Sequence, residues 1–240
     1  MRSGAQFGKW LFCALVMASR MMSPQDRASQ NEAAELRLHI VSSEPGKSRA
    51  VPAVIWLEPL PGTPALLFPP QGPYTLLQKN RTFVPHLQVI PVGAVVQFPN
   101  ADPFFHNVFS LFEGKRFDLG LYEAGSTKSV TFSREGASYI FCNIHPEMSA
   151  VVLALSTPLY AVADGSNSFV LRDIPPGDYN LHLWIEGVPQ SFLEHEGRRV
   201  HLPPRELDLG QIAAPISRTG NMNHTNKFGN PYTQDPQSTY

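Results

Sequence analysis

Three side chains that bind soft metals fall within seven residues: Cys142, His145 and Met148 of Cys142-Asn143-Ile144-His145-Pro146-Glu147-Met148. A thiolate, an imidazole and a thioether suit copper held as in blue electron-transfer sites. There two His and one Cys form a trigonal plane and a Met lies at a long axial distance. Such a plane needs a second imidazole. His106, in Pro103-Phe104-Phe105-His106-Asn107-Val108-Phe109-Ser110, is the candidate. Zinc is the rival metal, with Glu147 as a hard ligand. Zinc prefers closed sites of Cys, His and carboxylate, however, and a thioether does not suit it. Glu147 is therefore expected to face solvent.

Each of these residues has a plainer reading when taken alone. A cysteine at a strand end is more often core, and a His among Phe residues is more often a packed side chain. Their combination favours copper. The other histidines (His39, His86, His182, His195, His201) lie on strand-like or turn segments without ligand spacing, and His224 is in the polar tail. No His-x-His pair is present, so the parts of an oxygen-reducing copper cluster are missing. A nucleophile elbow, a phosphate loop and a paired-carboxylate signature are missing as well.

Ligands need stiff elements to position them. Tyr139-Ile140-Phe141-Cys142 reads as a strand ending on the thiolate, and Ala150 to Leu155 as an apolar strand after the Met. Ala94 to Phe98 is a core strand, and residues 99–103 form the loop that delivers His106. Asn107 is placed to hydrogen-bond across to the Cys142 loop, as residues behind metal ligands do. Phe104, Phe105, Phe109 and Phe141 are candidates for an apolar wall that excludes water.

The whole chain has 240 residues, of which 42% are hydrophobic and 16% charged, with a formal net charge of -1. That length allows one or two domains with real cores. The near-neutral charge gives no argument for nucleic acid or an anionic membrane as partner. With 23 Pro, 17 Gly and little helical periodicity, the expected class is all-β, built as sandwiches of short strands. Residues 1–22 read as an export signal: Arg2 and Lys9 precede or flank an apolar run from Trp10 to Ala18, too short to span a bilayer at ~20 residues. Export would remove Cys13 and leave Cys142 as an odd cysteine, which metal ligation accounts for. The mature protein would be periplasmic or secreted, without a membrane span. Residues 23–35 are expected to be a flexible leader and 214–240 a disordered tail. Phe83 to Ile90 reads as one edge strand containing Pro85, and His195 to Leu209 as one strand.

The pattern Phe83-x-Pro85, Val92-Gly93-Ala94-x-Val96-x-Phe98-x-Asn100, His106-Asn107-Val108 and Cys142-x-x-His145-x-x-Met148 resembles the cupredoxin family. Its ligand-loop spacing is similar to that of the amicyanin branch and shorter than in plastocyanin or azurin. The chain also resembles exported bacterial proteins described as methylamine-utilisation-like or plastocyanin-like. The match covers about residues 80–156. It implies a Greek-key β-sandwich with one type 1 copper ion at one end, held by His106, Cys142, His145 and Met148. It further implies electron transfer with transient redox partners, with His145 as the electron port and Ile144, Pro146 and Phe104 as a docking patch. Such a reaction makes and breaks no substrate bonds, so an electron carrier is expected rather than an enzyme, the enzyme question staying open, and no small-molecule substrate is evident.

A second resemblance lies in the flanks. Ala53-Val54-Ile55-Trp56-Leu57 and Phe169-x-Leu171-x-Asp173-Ile174-Pro175-Pro176-Gly177-x-Tyr179-x-Leu181 look like strands of carboxypeptidase-regulatory-like (transthyretin-like) modules. This implies a small β-sandwich from residues 36–78 and 157–213, with a cupredoxin domain at 79–156 inserted in it. Copper storage, a structural binding module and a lapsed site remain as alternatives to electron transfer.

Overall fold

A computed structural model describes residues 33–44, 49–111, 114–216 and 225–232. The export-signal stretch, most of the leader and residues 217–224 and 233–240 of the tail lie outside the described residues. The described chain is all-β apart from one short helix. In chain order the strands are β1 (Ala34–Ser42), β2 (Ala53–Pro59), β3 (Tyr74–Thr75), β4 (Leu77–Lys79), β5 (Thr82–Val84) and β6 (Leu87–Pro91). Then come β7 (Val95–Pro99), β8 (His106–Ser110), β9 (Phe117–Tyr122), β10 (Thr127–Thr131), β11 (Gly136–Phe141) and β12 (Ser149–Leu155). The last are β13 (Tyr160–Val162), β14 (Ser168–Ile174), β15 (Gly177–Ile185), helix α1 (Gln190–Glu196), β16 (Arg198–Leu202) and β17 (Glu206–Ala214).

Strand β1 alternates buried and partly open positions, so Leu36, Leu38 and Ile40 all point to one core. It lies centrally in a sheet of order β14-β1-β17, antiparallel to β14 and parallel to β17. A second sheet, β13-β2-β15-β16, supplies Ile55, Leu57, Tyr179, Leu181 and Leu183 to the same cluster. Each such side chain, fully buried, contributes roughly 1.5–3 kcal/mol.

A separate cluster forms between the sheets β10-β7-β3 and β6-β12-β11-β8-β9. Leu76, Val96, Phe98, Val108, Phe132 and Ile140 fill it, and Cys142 and Met148 sit in the same cluster. Strand β12 is buried on both faces. Its small members Ala150, Val152 and Ala154 face this core, while Val151, Leu153 and Leu155 face outward. The outward set packs on Val54 and Trp184 of the first sandwich, and the Trp184 indole N–H donates to the Tyr139 hydroxyl at 3.2 Å. The long apolar run of β12 thus serves two cores at once, as strands covered on both faces do.

Four sequence expectations change. The strand expected over 83–90 is divided into β5 and β6, because Pro85 has no N–H for a ladder. The strand expected over 195–209 is instead the end of α1, then β16 and the start of β17, broken at Pro203-Pro204. Strand β3 and Leu76, expected in the first sandwich, pack in the second. Residues 225–232, expected to be disordered tail, lie against the loop after Cys142.

Candidate metal centre

Residues far apart in sequence reach one point because β8 and β11 are paired. Phe109 of β8 opposes Phe141 of β11, which sets His106 at the start of one strand beside Cys142 at the end of the other. After Cys142 the chain turns back at once. Cys142 N–H donates to the Met148 carbonyl at 3.3 Å, and Met148 N–H donates to the His145 carbonyl at 3.1 Å. Pro146 fixes φ inside that turn. The closed loop turns His145 back toward Cys142 and leaves Glu147 exposed.

The segment before His106 is folded on Asn100. Its side-chain amide donates to the Phe104 carbonyl at 2.8 Å, and its side-chain oxygen accepts the Asp102 N–H at 3.0 Å. Asp102, at 5% exposure, then accepts from His106 Nε2 at 2.8 Å. A carboxylate only accepts, so Nε2 carries the proton and Nδ1 of a neutral ring is bare.

That bare Nδ1 faces Cys142 Sγ at 3.7 Å and His145 Nδ1 at 3.1 Å. His145 Nδ1 lies 3.5 Å from the same sulfur. A point equidistant from the three atoms is about 2 Å from each, close to the ~2.0–2.3 Å bonds that imidazole and thiolate make to a small divalent cation. Electron-rich atoms crowded in this way repel unless a proton or a cation sits between them. No other group of three or more His, Cys, Asp or Glu side chains with such spacing occurs among the described residues. The thioether of Met148 is fully buried in the cluster that also holds Cys142. The donor set therefore fits a soft or borderline metal.

The electrostatics point the same way. Burial pushes the Cys142 thiol up, against backbone hydrogen bonds from Asn107, Ile144 and His145. Without a cation the sulfur would keep its proton. Burial, followed by the neighbouring His106, holds His145 below the ordinary imidazole value, so it is neutral and able to ligate. Burial works to raise Asp102, but hydrogen bonds from the Arg81 and Asn80 N–H groups and from His106 outweigh it and keep the carboxyl low.

The aromatic wall is narrower than expected. Phe104 packs against both imidazoles, with ring centroids 5.2 Å from His106 and 5.6 Å from His145. Phe109 and Phe141 are buried and pair with each other, whereas Phe105 is half exposed. Asn107 also differs. Its side chain donates to Asp118 at 2.7 Å, and it is the backbone that serves the Cys142 sulfur. Of the docking patch, Ile144 and Pro146 are exposed and Phe104 is partly so. His201 is taken up by Asp178 and His195 lies on α1, and neither belongs to a group with metal-binding spacing.

Sequence reasoning missed two features here. Asp102 looked like a turn residue in a Pro-flanked loop; its signal was a lone acid four residues before the candidate His. The tail was missed altogether. Lys227 N–H donates to Asn143 Oδ1 at 2.9 Å, Lys227 Nζ pairs with Asp118 at 2.7 Å, and the Tyr232 hydroxyl donates to the Cys142 carbonyl.

No protein-family model matches the sequence, and a search of curated proteins gives no match. Among solved structures the chain is similar to a purple cupredoxin from Nitrosopumilus maritimus, at 23% identity and a TM-score of 0.31, over 34% of this chain and 99% of that one. It is similar to a reduced variant of amicyanin at 19% identity and a TM-score of 0.34, over 35% of this chain and 84% of that one. A copper-containing nitrite reductase from Thermus scotoductus matches at 24% identity and a TM-score of 0.34, over 49% of this chain and 28% of that one. Scores of this size place no residue and assign no function. Among the described residues no helix is long and apolar enough to cross a membrane.

Proposed function

We propose that the protein is an exported copper protein of the cupredoxin type that passes single electrons between redox partners. His106, Cys142, His145 and Met148 would hold the metal. Bound there, copper would supply a one-electron couple between its +1 and +2 states. The observation that carries this reading is the triangle of inward-facing donors, with sides of 3.1, 3.5 and 3.7 Å.

The residues around that triangle supply what such a couple needs. Paired strands and a closed loop hold the donors still, so a change of oxidation state moves little. Phe104 packs against both rings, of which His106 is fully buried and His145 9% exposed. His145 is flanked in the chain by Ile144 and Pro146, whose exposed apolar surface suits a small, short-lived docking contact of the kind redox encounters use. Export to the periplasm or outside the cell rests on the leading sequence of residues 1–22. We further read β1, β2 and β13–β17 as one transthyretin-like sandwich in which the copper-bearing strands β3–β12 are inserted. This is supported by the pairing of β1 with β14 and of β2 with β15.

Copper loading followed by visible spectroscopy tests the reading. The expected result is an intense blue or purple charge-transfer band with reversible reduction, absent in Cys142→Ser. A wild type no more coloured than that variant overturns the type 1 assignment. A colourless Cu(I) protein that does not oxidise reversibly supports storage instead.

A further inference from the structure

We propose that Asp102 is a positioning residue that fixes the tautomer of His106 and lowers the reduction potential of the metal centre. This deepens the copper reading and rests on it. Asp102 lies four residues before His106 and is almost fully buried. Its Oδ2 accepts from His106 Nε2 at 2.8 Å. The same carboxylate accepts the Asn80 N–H at 2.6 Å and the Arg81 N–H at 3.0 Å.

Those two N–H groups come from the tip of the β4–β5 hairpin, where Lys79 opposes Thr82 and Asn80-Arg81 form a two-residue turn. Both turn residues have φ of 55°. Two successive positive φ values are what the tightest hairpins require, and Gly normally fills the second. Here Arg81 occupies it, in a conformation that strains a non-glycine residue. The surrounding structure holds the strained turn in place, and the result is two backbone donors aimed at one buried carboxylate. With the imidazole the carboxylate has three donors, enough to keep it ionised away from water.

Two consequences follow for the metal. A carboxylate behind a ligating imidazole fixes which nitrogen is free and makes that nitrogen a better donor. A buried negative charge one ring away also favours the more positive oxidation state, because attraction in a low-dielectric interior is weakly screened. Cu(II) is thus stabilised over Cu(I). The Arg81 guanidinium sits over the Phe104 ring, 5.3 Å from its centroid.

The test has two arms. In the first, the nitrogen shifts of His106 are read by NMR in the metal-free wild type. A proton on Nε2 with Nδ1 bare is expected, and a proton on Nδ1 overturns the proposal. In the second, reduction potentials of the copper-loaded wild type and Asp102→Asn are compared. The expected change is about tenfold in the reduction equilibrium toward Cu(I), a rise of about 59 mV for one electron. Cu(II) affinity should fall ~10–100-fold, as for other partners of metal-bound His, and Cu(I) affinity by less. A folded Asp102→Asn that binds copper at an unchanged potential overturns this proposal and leaves the copper reading intact. A wild type that takes up no copper overturns both. Should Asp102→Asn fail to fold, the tautomer in the wild type decides.

Discussion

The Tyr232 hydroxyl donates a hydrogen bond to the backbone carbonyl of Cys142 at 2.9 Å, across 90 residues of chain. Together with Lys227, whose N–H donates to Asn143 and whose ammonium pairs with Asp118, it ties residues 225–232 to the ligand loop. Tyr232→Phe keeps the ring and removes the bond, which should cost about 0.5–1.5 kcal/mol in local stability. Removing residues 225–240 should do more. Copper transfer to an external chelator is expected to be faster in both variants, in that order, with the visible band little changed. Unaltered transfer rates would mean the tail does not guard the loop.

Metal removal is the second prediction. Three donors that crowd one another without a cation are cross-linked by one. Binding to the folded chain alone stabilises it by about 2.7 kcal/mol when free metal is a hundred times the dissociation constant. Thermal melting should therefore rise on copper addition and fall back on chelation. Cys142→Ser should lose most of that difference while its metal-free melting point stays near that of the metal-free wild type.

The contact between the two sandwiches gives a third. Leu153 is buried at the middle of β12, on the face that meets Val54 and Trp184. Leu153→Ala leaves a cavity there and should cost about 2–5 kcal/mol. Equilibrium unfolding followed by Trp fluorescence should show the loss at unchanged copper affinity. Ala150→Leu, on the opposite face of the same strand, should instead overpack the metal-side core and weaken the visible band.

A fourth concerns pH. His86 donates from one nitrogen to Glu186 at 2.5 Å, and its other nitrogen lies 3.1 Å from the Ser149 carbonyl. The bond to Glu186 lifts its pKa above the ordinary 6.5, against the pull of burial. A raised folded-state value means the charged ring is favoured by folding. The stabilisation is complete below pH 6.5 and disappears as the pH climbs through the raised value. The stability gap between wild type and His86→Gln should accordingly be widest near pH 6 and shrink in alkaline buffer. A gap that grows with pH contradicts the assignment.

How much of this was visible in the sequence depended on distance along the chain. Cys142, His145 and Met148 are close neighbours, so their grouping as candidate soft-metal donors could be read directly. His106 was named because a trigonal site calls for a second imidazole and the Phe-rich stretch offered one, and its Nδ1 lies 3.7 Å from Cys142 Sγ. Asp102 was not, since one acid in a Pro-flanked loop reads as a turn and only the hairpin tip at Asn80-Arg81 reveals its burial. The tail was misread for a related reason: its attachments are a backbone N–H, an ammonium and a hydroxyl, and none of these raises hydropathy. Helix α1 is only one or two turns long and buries a single Leu193, too little for a helical period to show. The unbroken apolar run of β12 was legible as a strand; that it lines two cores was not.

Strands β2 and β13 bracket the whole excursion that carries the candidate metal donors, and they are hydrogen-bonded neighbours, with Trp56 opposite Tyr160. The chain leaves the first sandwich and re-enters it at nearly the same spot on one sheet. A short splice at that seam would close the host without disturbing its strand order. On the proposed reading the donor-bearing portion would be a graft on the frame, and Val54 and Trp184 lend it a wall through Val151, Leu153 and Leu155 while His106, Cys142, His145 and Met148 all lie between the two strands in sequence.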